Sequence, residues 1–162
     1  IDLDRAFTHE LYSYRKRIGL NQYPDANSSL RLTFGTINDL YARDAVCLSY
    51  KSTVEGILEK YNPSNYDYSL DPELVNLYEG IRDMNVDFIC DCDITGGNSG
   101  SPVLNAHGEV IGLAFDGNKE SLASDVYYTP GYNKCVCVDI RFVLWVLDNW
   151  MGAERLIKEI GI

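Results

Sequence analysis

Basic residues are scarce in this sequence. Fourteen Lys and Arg stand against 24 Asp and Glu among 162 residues, a formal charge of −10 and a pI near 4.5. Such a chain repels a nucleic-acid backbone or an anionic membrane surface and attracts cationic groups, peptide amines among them. No apolar run approaches the roughly 18–20 residues needed to span a bilayer, and residues 1–10 lack the basic start and apolar stretch of a secretory signal. There is no internal repeat, no low-complexity tract and no linker rich in Gly, Pro or Ser. Because the sequence starts at Ile1 rather than Met, it is expected to begin inside a longer precursor, so the missing signal does not assign a compartment. Histidine is limited to His9 and His107.

What is present fits a packed domain. Apolar residues make up 46%, aromatics 12% and charged residues 23%, outside the class of chains that stay disordered. One continuous domain over residues 1–162 is the simplest organisation. The five cysteines, Cys47, Cys90, Cys92, Cys135 and Cys137, are an odd number with no CxxC pair, unlike a disulfide scaffold or a zinc ribbon. In a strand, a spacing of two puts Cys90 and Cys92 on one face, and Cys135 and Cys137 likewise. They read as small core residues of two strands; a cross-strand disulfide, or a metal site with Asp91 and Asp93, is the alternative.

Periodicity predicts a helix over 4–17, a turn at 24–27, and strands over 29–36 and 45–50. Helices are expected from 52–58, opened by Ser52, Thr53 and Glu55, and from 71–81, opened by Asp71, Pro72 and Glu73. Short strands follow at 86–92, 102–104, 110–115 and 135–138. The turn Asn105, Ala106, His107, Gly108 joins the second of these to the third as a hairpin. Asp139 caps an apolar helix over 142–150, and an amphipathic helix over 153–160 ends the chain. The fold class is mainly β with α additions.

The chemistry concentrates in Asp93, Ile94, Thr95, Gly96, Gly97, Asn98, Ser99, Gly100, Ser101, Pro102. A nucleophilic serine needs its hydroxyl at the apex of a tight loop, with backbone N–H groups converging where the attacked carbonyl oxygen becomes negative. Gly97 and Gly100 supply that backbone freedom, and the N–H groups of Gly97 and Ser99 would form the oxyanion hole. No helix follows Ser99, which excludes the α/β-hydrolase elbow.

GGNSGSP, a strand, a turn and GLAF resemble the active-serine loop of chymotrypsin-like peptidases. The run DITGGNSGSPVLNAHGEVIGLAFDGN, with PDANSSLRLTFG, ARDAV and VDIRFVLWVLDNW, is similar to the bacterial dipeptidyl-peptidase 7 and dipeptidyl-peptidase 11 group of serine exopeptidases. The resemblance implies a chymotrypsin-like double β-barrel, this chain being its C-terminal barrel with flanking helices. Ser99 is then the nucleophile and Gly97 its oxyanion partner. Phe115, Asp116 and Gly117 become substrate-binding residues, Asp116 gripping the substrate's free ammonium. Gly117 stands where the acid-specific members carry Arg, which implies apolar or aromatic side chains in the primary pocket. Implied partners are oligopeptides with a free N-terminus, the missing first barrel and a second copy in a homodimer; the implied location is the periplasm or cell envelope. No metal or organic cofactor is required.

A serine peptidase of this kind also needs a histidine base and an orienting carboxylate. His107 falls in a hairpin turn and His9 on an early helix, so both partners are expected from the first barrel and the isolated chain is expected to be inactive. Asp93, six residues before Ser99, mimics the carboxylate by which trypsin-like enzymes select basic side chains, and reads as structural. Ile1 mimics an activated trypsin-type N-terminus, but Asn98 has no charge to pair with it. The rival readings are a trypsin-like endopeptidase and a catalytically dead peptide-binding barrel.

Overall fold

The computed structural model describes residues 2–20, 28–124 and 128–161. The turn expected at 24–27 and the Ile1 terminus lie outside them. The chain divides into two compact units, Ile1–Leu30 and Arg31–Ile162. The first carries α1, Asp2–Arg17, with Asp2 and Asp4 in its first turn and Arg15, Lys16 and Arg17 in its last, each sign facing the helix-dipole end that favours it. His9 is exposed on this helix.

The second unit opens with a hairpin, β1 (Leu40–Arg43) and β2 (Val46–Leu48), followed by β3 (Lys51–Thr53), α2 (Val54–Lys60) and α3 (Pro72–Glu79). Then come β4 (Asn85–Cys90), β5 (Pro102–Leu104), β6 (Val110–Gly117) and β7 (Cys135–Asp139). The last elements are α4 (Ile140–Trp145), a π-helical turn over Val146–Trp150, and α5 (Glu154–Ile160). Strands β3-β4-β7-β6-β5 form one five-stranded sheet in that order, every pairing antiparallel.

Local chemistry explains most of these boundaries. Asp71 Oδ1 accepts from Glu73 N at 2.8 Å and Asp139 Oδ1 from Arg141 N at 2.9 Å, capping α3 and α4. In the β5–β6 turn Asn105 Oδ1 accepts from His107 N at 2.9 Å and Glu109 N at 3.0 Å. Thr53 precedes α2 but makes no side-chain cap. Its place is taken by tertiary acceptors, Met84 O for Val54 N and Arg82 O for Glu55 N, both at 3.0 Å.

The sheet's core is small: Phe88, Cys90, Ala114, Cys135 and Cys137, with Cys92, Ile94, Val103 and Ile111 packed against it. Gly112 permits the close approach of β6 and β7, since a Cβ there would lie 2.6 Å from Val138 O and 2.7 Å from the Phe88 ring. A second cluster forms where Tyr78 of α3 meets Phe142 and Trp145 of α4, ring centroids 6.1 and 5.7 Å away.

Three expectations need correction. Residues 29–36 form no strand: among the described residues the pairing beside them is limited to an isolated bridge, Ile37 to Cys90, and a bond from Asp91 N to Thr36 O at 3.0 Å. The alternation there still sorts side chains: Leu32 and Phe34 are exposed, whereas Arg31 and Thr33 bond to the segment after β4. Residues 45–50 are not one strand either. Ala45, at φ 59°, turns the β1–β2 hairpin, and the chain breaks again before β3. Finally, the sheet formed by the described residues is open. Its edge strands β3 and β5 have three residues each and do not pair with one another, so the closed barrel is not formed here.

Candidate active site

Strand β4 delivers the chain to the sheet end, where residues 91–101 fold back before β5 begins. Two internal turns shape this loop: Asn98 N donates to Thr95 O at 3.2 Å and Ser101 N to Asn98 O at 3.0 Å. Positive φ at Gly97 (97°) and Gly100 (85°) makes the reversal, a conformation costly for residues with a Cβ. Gly100 N then donates to Ala114 O at 2.7 Å, and Ala114 N to Ser101 O at 2.9 Å, tying the loop to β6. Arg31 clamps the other side, its guanidinium donating to Thr95 Oγ1 at 2.7 Å and Asn98 Oδ1 at 3.3 Å.

With Asn98 and Gly100 amides engaged internally, those of Gly97 and Ser99 donate no hydrogen bond within the described residues. The Ser99 side chain is exposed, and its hydroxyl donates to Phe115 O at 3.3 Å. That carbonyl is available because β6 bulges. The register passes from Ala114 opposite Cys137 to Asp116 opposite Val136, leaving Phe115 without a partner.

The bulge leaves Phe115 and Asp116 exposed, beside Ser99. Ser99, Phe115, Asp116, Gly117 and Asp93 line one cleft of about 260 Å³. Asp116 Oδ1 accepts from Gly117 N at 2.8 Å, which fixes its carboxylate at the bulge. Gly117 lies opposite Cys135 with an ordinary negative φ, and a Cβ built there would meet only Ser121 Oγ closely, at 2.4 Å. His107 sits in the turn at the far end of β5, whose three residues span roughly 10 Å.

Several residues around the cleft gave no signal in the sequence. Asn118 Oδ1 accepts from Lys134 N at 2.8 Å and its Nδ2 donates to Tyr132 O at 2.8 Å, fastening the segment after β6 to the approach of β7. Lys134 is buried, its side chain 1% exposed, and its ammonium is held by Asp91 and Asn38. Asp91 also accepts from Asn38 Nδ2 at 2.8 Å and Thr36 Oγ1 at 3.0 Å. Burial alone would raise the Asp91 pKa, but these donors, Lys134 first, outweigh it and hold the carboxyl below its ordinary value. Asp91 is thus committed to Lys134, which speaks against the alternative of a metal site built with Asp91 and Asp93. Asn133 Nδ2, on another cleft residue, is buried and has no hydrogen-bond partner among the described residues.

This serine-bearing loop and its neighbouring cleft extend over a sequence that matches the family model "Peptidase S46" from residue 2 to residue 162. The chain belongs to the peptidase S46 family. Within it, the chain is 45% identical over 149 residues to an Asp/Glu-specific dipeptidyl-peptidase of Porphyromonas endodontalis, covering 86% of this chain and 21% of that one. It is 42% identical over 148 residues to a dipeptidyl-peptidase 7 of Phocaeicola vulgatus, covering 86% and 20%. The crystal structure of Porphyromonas endodontalis DPP11 in complex with the dipeptide Arg-Glu superposes with a TM-score of 0.82 at 43% identity, covering 92% of this chain and 23% of that one. The chain therefore spans about a fifth to a quarter of the length of these peptidase S46 relatives.

Proposed function

We propose that this chain is the serine-bearing part of a dipeptidyl-peptidase that releases N-terminal dipeptides from oligopeptides by acyl transfer through Ser99. The observation that carries the proposal is the meeting of Ser99 and Asp116 at one cleft beside two open amides, Gly97 and Ser99. Those amides would receive the developing oxyanion, each worth about 3 kcal/mol in the transition state. Asp116 would hold the substrate's ammonium, so that the cleft measures two residues from a charged end. The histidine base and its carboxylate would come from elsewhere in the complete protein, as would the strands that close a chymotrypsin-like barrel. Export to the periplasm or cell envelope and a homodimeric assembly belong to the same proposal.

Free and acetylated forms of one oligopeptide test the mechanism with the complete enzyme. Acetylation is expected to cut kcat/KM by about 100-fold or more, because it removes the charge that pairs with Asp116. Undiminished cleavage of the acetylated peptide overturns the exopeptidase reading. It would favour instead a trypsin-like endopeptidase, for which one observation speaks: Asp93 lines the same cleft. Absence of cleavage of either peptide by a correctly folded protein would favour a binding module.

The Asp/Glu-specific dipeptidyl-peptidase of Porphyromonas endodontalis and the dipeptidyl-peptidase 7 of Phocaeicola vulgatus resemble this chain at similar identity, so the residues of the cleft must decide the P1 preference. Among its described lining residues the sole cation is Lys134, whose ammonium Asp91 and Asn38 already hold, while Asp93 and Asp116 contribute negative charge. An acidic P1 side chain would meet no counter-charge there, so the proposal is an apolar or aromatic preference. Gly117→Arg is expected to raise the Asp-or-Glu over Leu ratio of kcat/KM by about tenfold or more. Ser121 Oγ stands in the way of the new Cβ, its hydroxyl donating to Asn118 O at 2.7 Å. The double variant Gly117→Arg/Ser121→Ala therefore checks the same point without the obstruction. Unchanged selectivity in both variants would remove Gly117 from the pocket.

A further inference from the structure

Four of the five cysteines gather behind the site loop, three of them outside the lining of the cleft. In the β4–β7 ladder Cys90 stands directly opposite Cys135, and Phe88 opposite Cys137, which puts the thiols of Cys90, Cys135 and Cys137 on one sheet face. All three are buried, and their Sγ atoms lie within 4.8 Å of one another, Cys135 and Cys137 at 3.4 Å. Cys92, two residues beyond Cys90, packs against the same cluster and borders the cleft. None of the four is in a disulfide.

We propose that Cys90, Cys135 and Cys137 bind a thiophilic d10 metal ion, Zn²⁺ or Cu⁺, as thiolates, with Cys92 placed to complete a four-sulfur set. Thiolates 2.3 Å from a tetrahedral ion stand about 3.8 Å apart, a spacing between the 3.4 Å of Cys135–Cys137 and the 4.8 Å that bounds all three pairs. Donor chemistry excludes hard cations: the site is all sulfur, and the carboxylate of intervening Asp91 is bonded to Lys134, Asn38 and Thr36. Apolar neighbours Phe88, Ile94 and Val103 exclude water from the cluster. Binding of Zn²⁺ by four thiols releases four protons, and binding of Cu⁺ by the three buried ones releases three; no electron is transferred. The ion would tie β4 to β7 at the base of the serine loop as a structural centre, without contact with substrate.

The complete protein, purified under reducing anaerobic conditions and stripped with a chelator, tests this by titration with Zn²⁺ and, separately, Cu⁺ against a chromophoric competitor. One equivalent per chain is expected for one of the two ions, with all five thiols free in the stripped protein. Cys92→Ser separates the ions: Zn²⁺ binding should weaken by tenfold or more, whereas trigonal Cu⁺ should be retained. Cys135→Ala/Cys137→Ala should abolish either. If that variant misfolds, replacement of the ion by Co²⁺ in the unaltered protein reports directly, through thiolate charge-transfer absorption. Less than a tenth of an equivalent of both ions, metal retained by the double variant, or a Cys90–Cys135 disulfide in the purified protein each overturns the proposal; where Zn²⁺ is the ion that binds, so does absence of thiolate absorption with Co²⁺.

Discussion

Replacing Ser99 by Ala in the complete protein is expected to lower kcat for dipeptide release by about 10³-fold or more, with folding unchanged. The side chain is exposed and its one hydrogen bond runs to a main-chain carbonyl, Phe115 O at 3.3 Å, so little packing is lost with the hydroxyl. The loop geometry survives as well, because it rests on Gly97, Gly100, Asn98 and Arg31 rather than on Ser99. The open amides would still polarise a bound carbonyl, so a small residual rate over water should remain. Labelling by a fluorophosphonate is expected to vanish with the same substitution and to persist in Ser121→Ala and Ser124→Ala, whose hydroxyl groups border the same cleft. Full activity of Ser99→Ala, or transfer of the label to Ser121 or Ser124, would discard Ser99 as nucleophile. The chain of 162 residues alone is expected to show no Ser99-dependent cleavage. Its histidines are His9 on α1 and His107 in the β5–β6 turn, so neither is presented to Ser99 as a base within the unit that carries the cleft.

The sequence revealed features whose physics is local. Asp71 and Asp139 announce helix starts because a carboxylate two residues from an orphan N–H caps it regardless of the rest of the fold. The Asn105 turn is legible for the same reason, and so is the serine loop, where Gly97 and Gly100 mark the positive φ values of a sharp reversal. Features settled at a distance stayed hidden. Ala45 turns a hairpin without a turn residue's signature, and Thr53 loses its cap to carbonyls about thirty residues downstream. Alternation over 29–36 has the right period for a strand, yet a period does not provide a neighbour to pair with. The spacing of two between cysteines predicted which face each pair shares. It did not predict that β4 and β7 would be adjacent and merge the pairs into one cluster. Lys134 carries no local signal, because its partner Asp91 precedes it by 43 residues.

That hidden pair carries the largest expected stability effect. Asp91→Leu is expected to destabilise the protein by about 3–5 kcal/mol, because it leaves a buried ammonium whose remaining partner is the neutral Asn38 amide. Lys134→Met should cost less: Asp91 is 25% exposed and keeps donors from Asn38 and Thr36. Removing both charges in Asp91→Leu/Lys134→Met should restore much of the loss, since no unpaired charge then stays behind the cleft. Urea midpoints of the four proteins measure this, and a double variant as unstable as the sum of the singles would deny the coupling. Acidity supplies a second reading of the same pair. The Asp91 pKa is held below its ordinary value in the folded protein, so its contribution is complete above the ordinary carboxylate range, near 4. It is lost as pH falls through the lower folded value. The stability gap between the unaltered protein and Asp91→Leu is therefore expected to stay constant from neutrality down to about pH 4 and to narrow below it. A gap that widened in acid would mean that the carboxyl is protonated more easily in the folded state, contrary to its bonds with Lys134, Asn38 and Thr36.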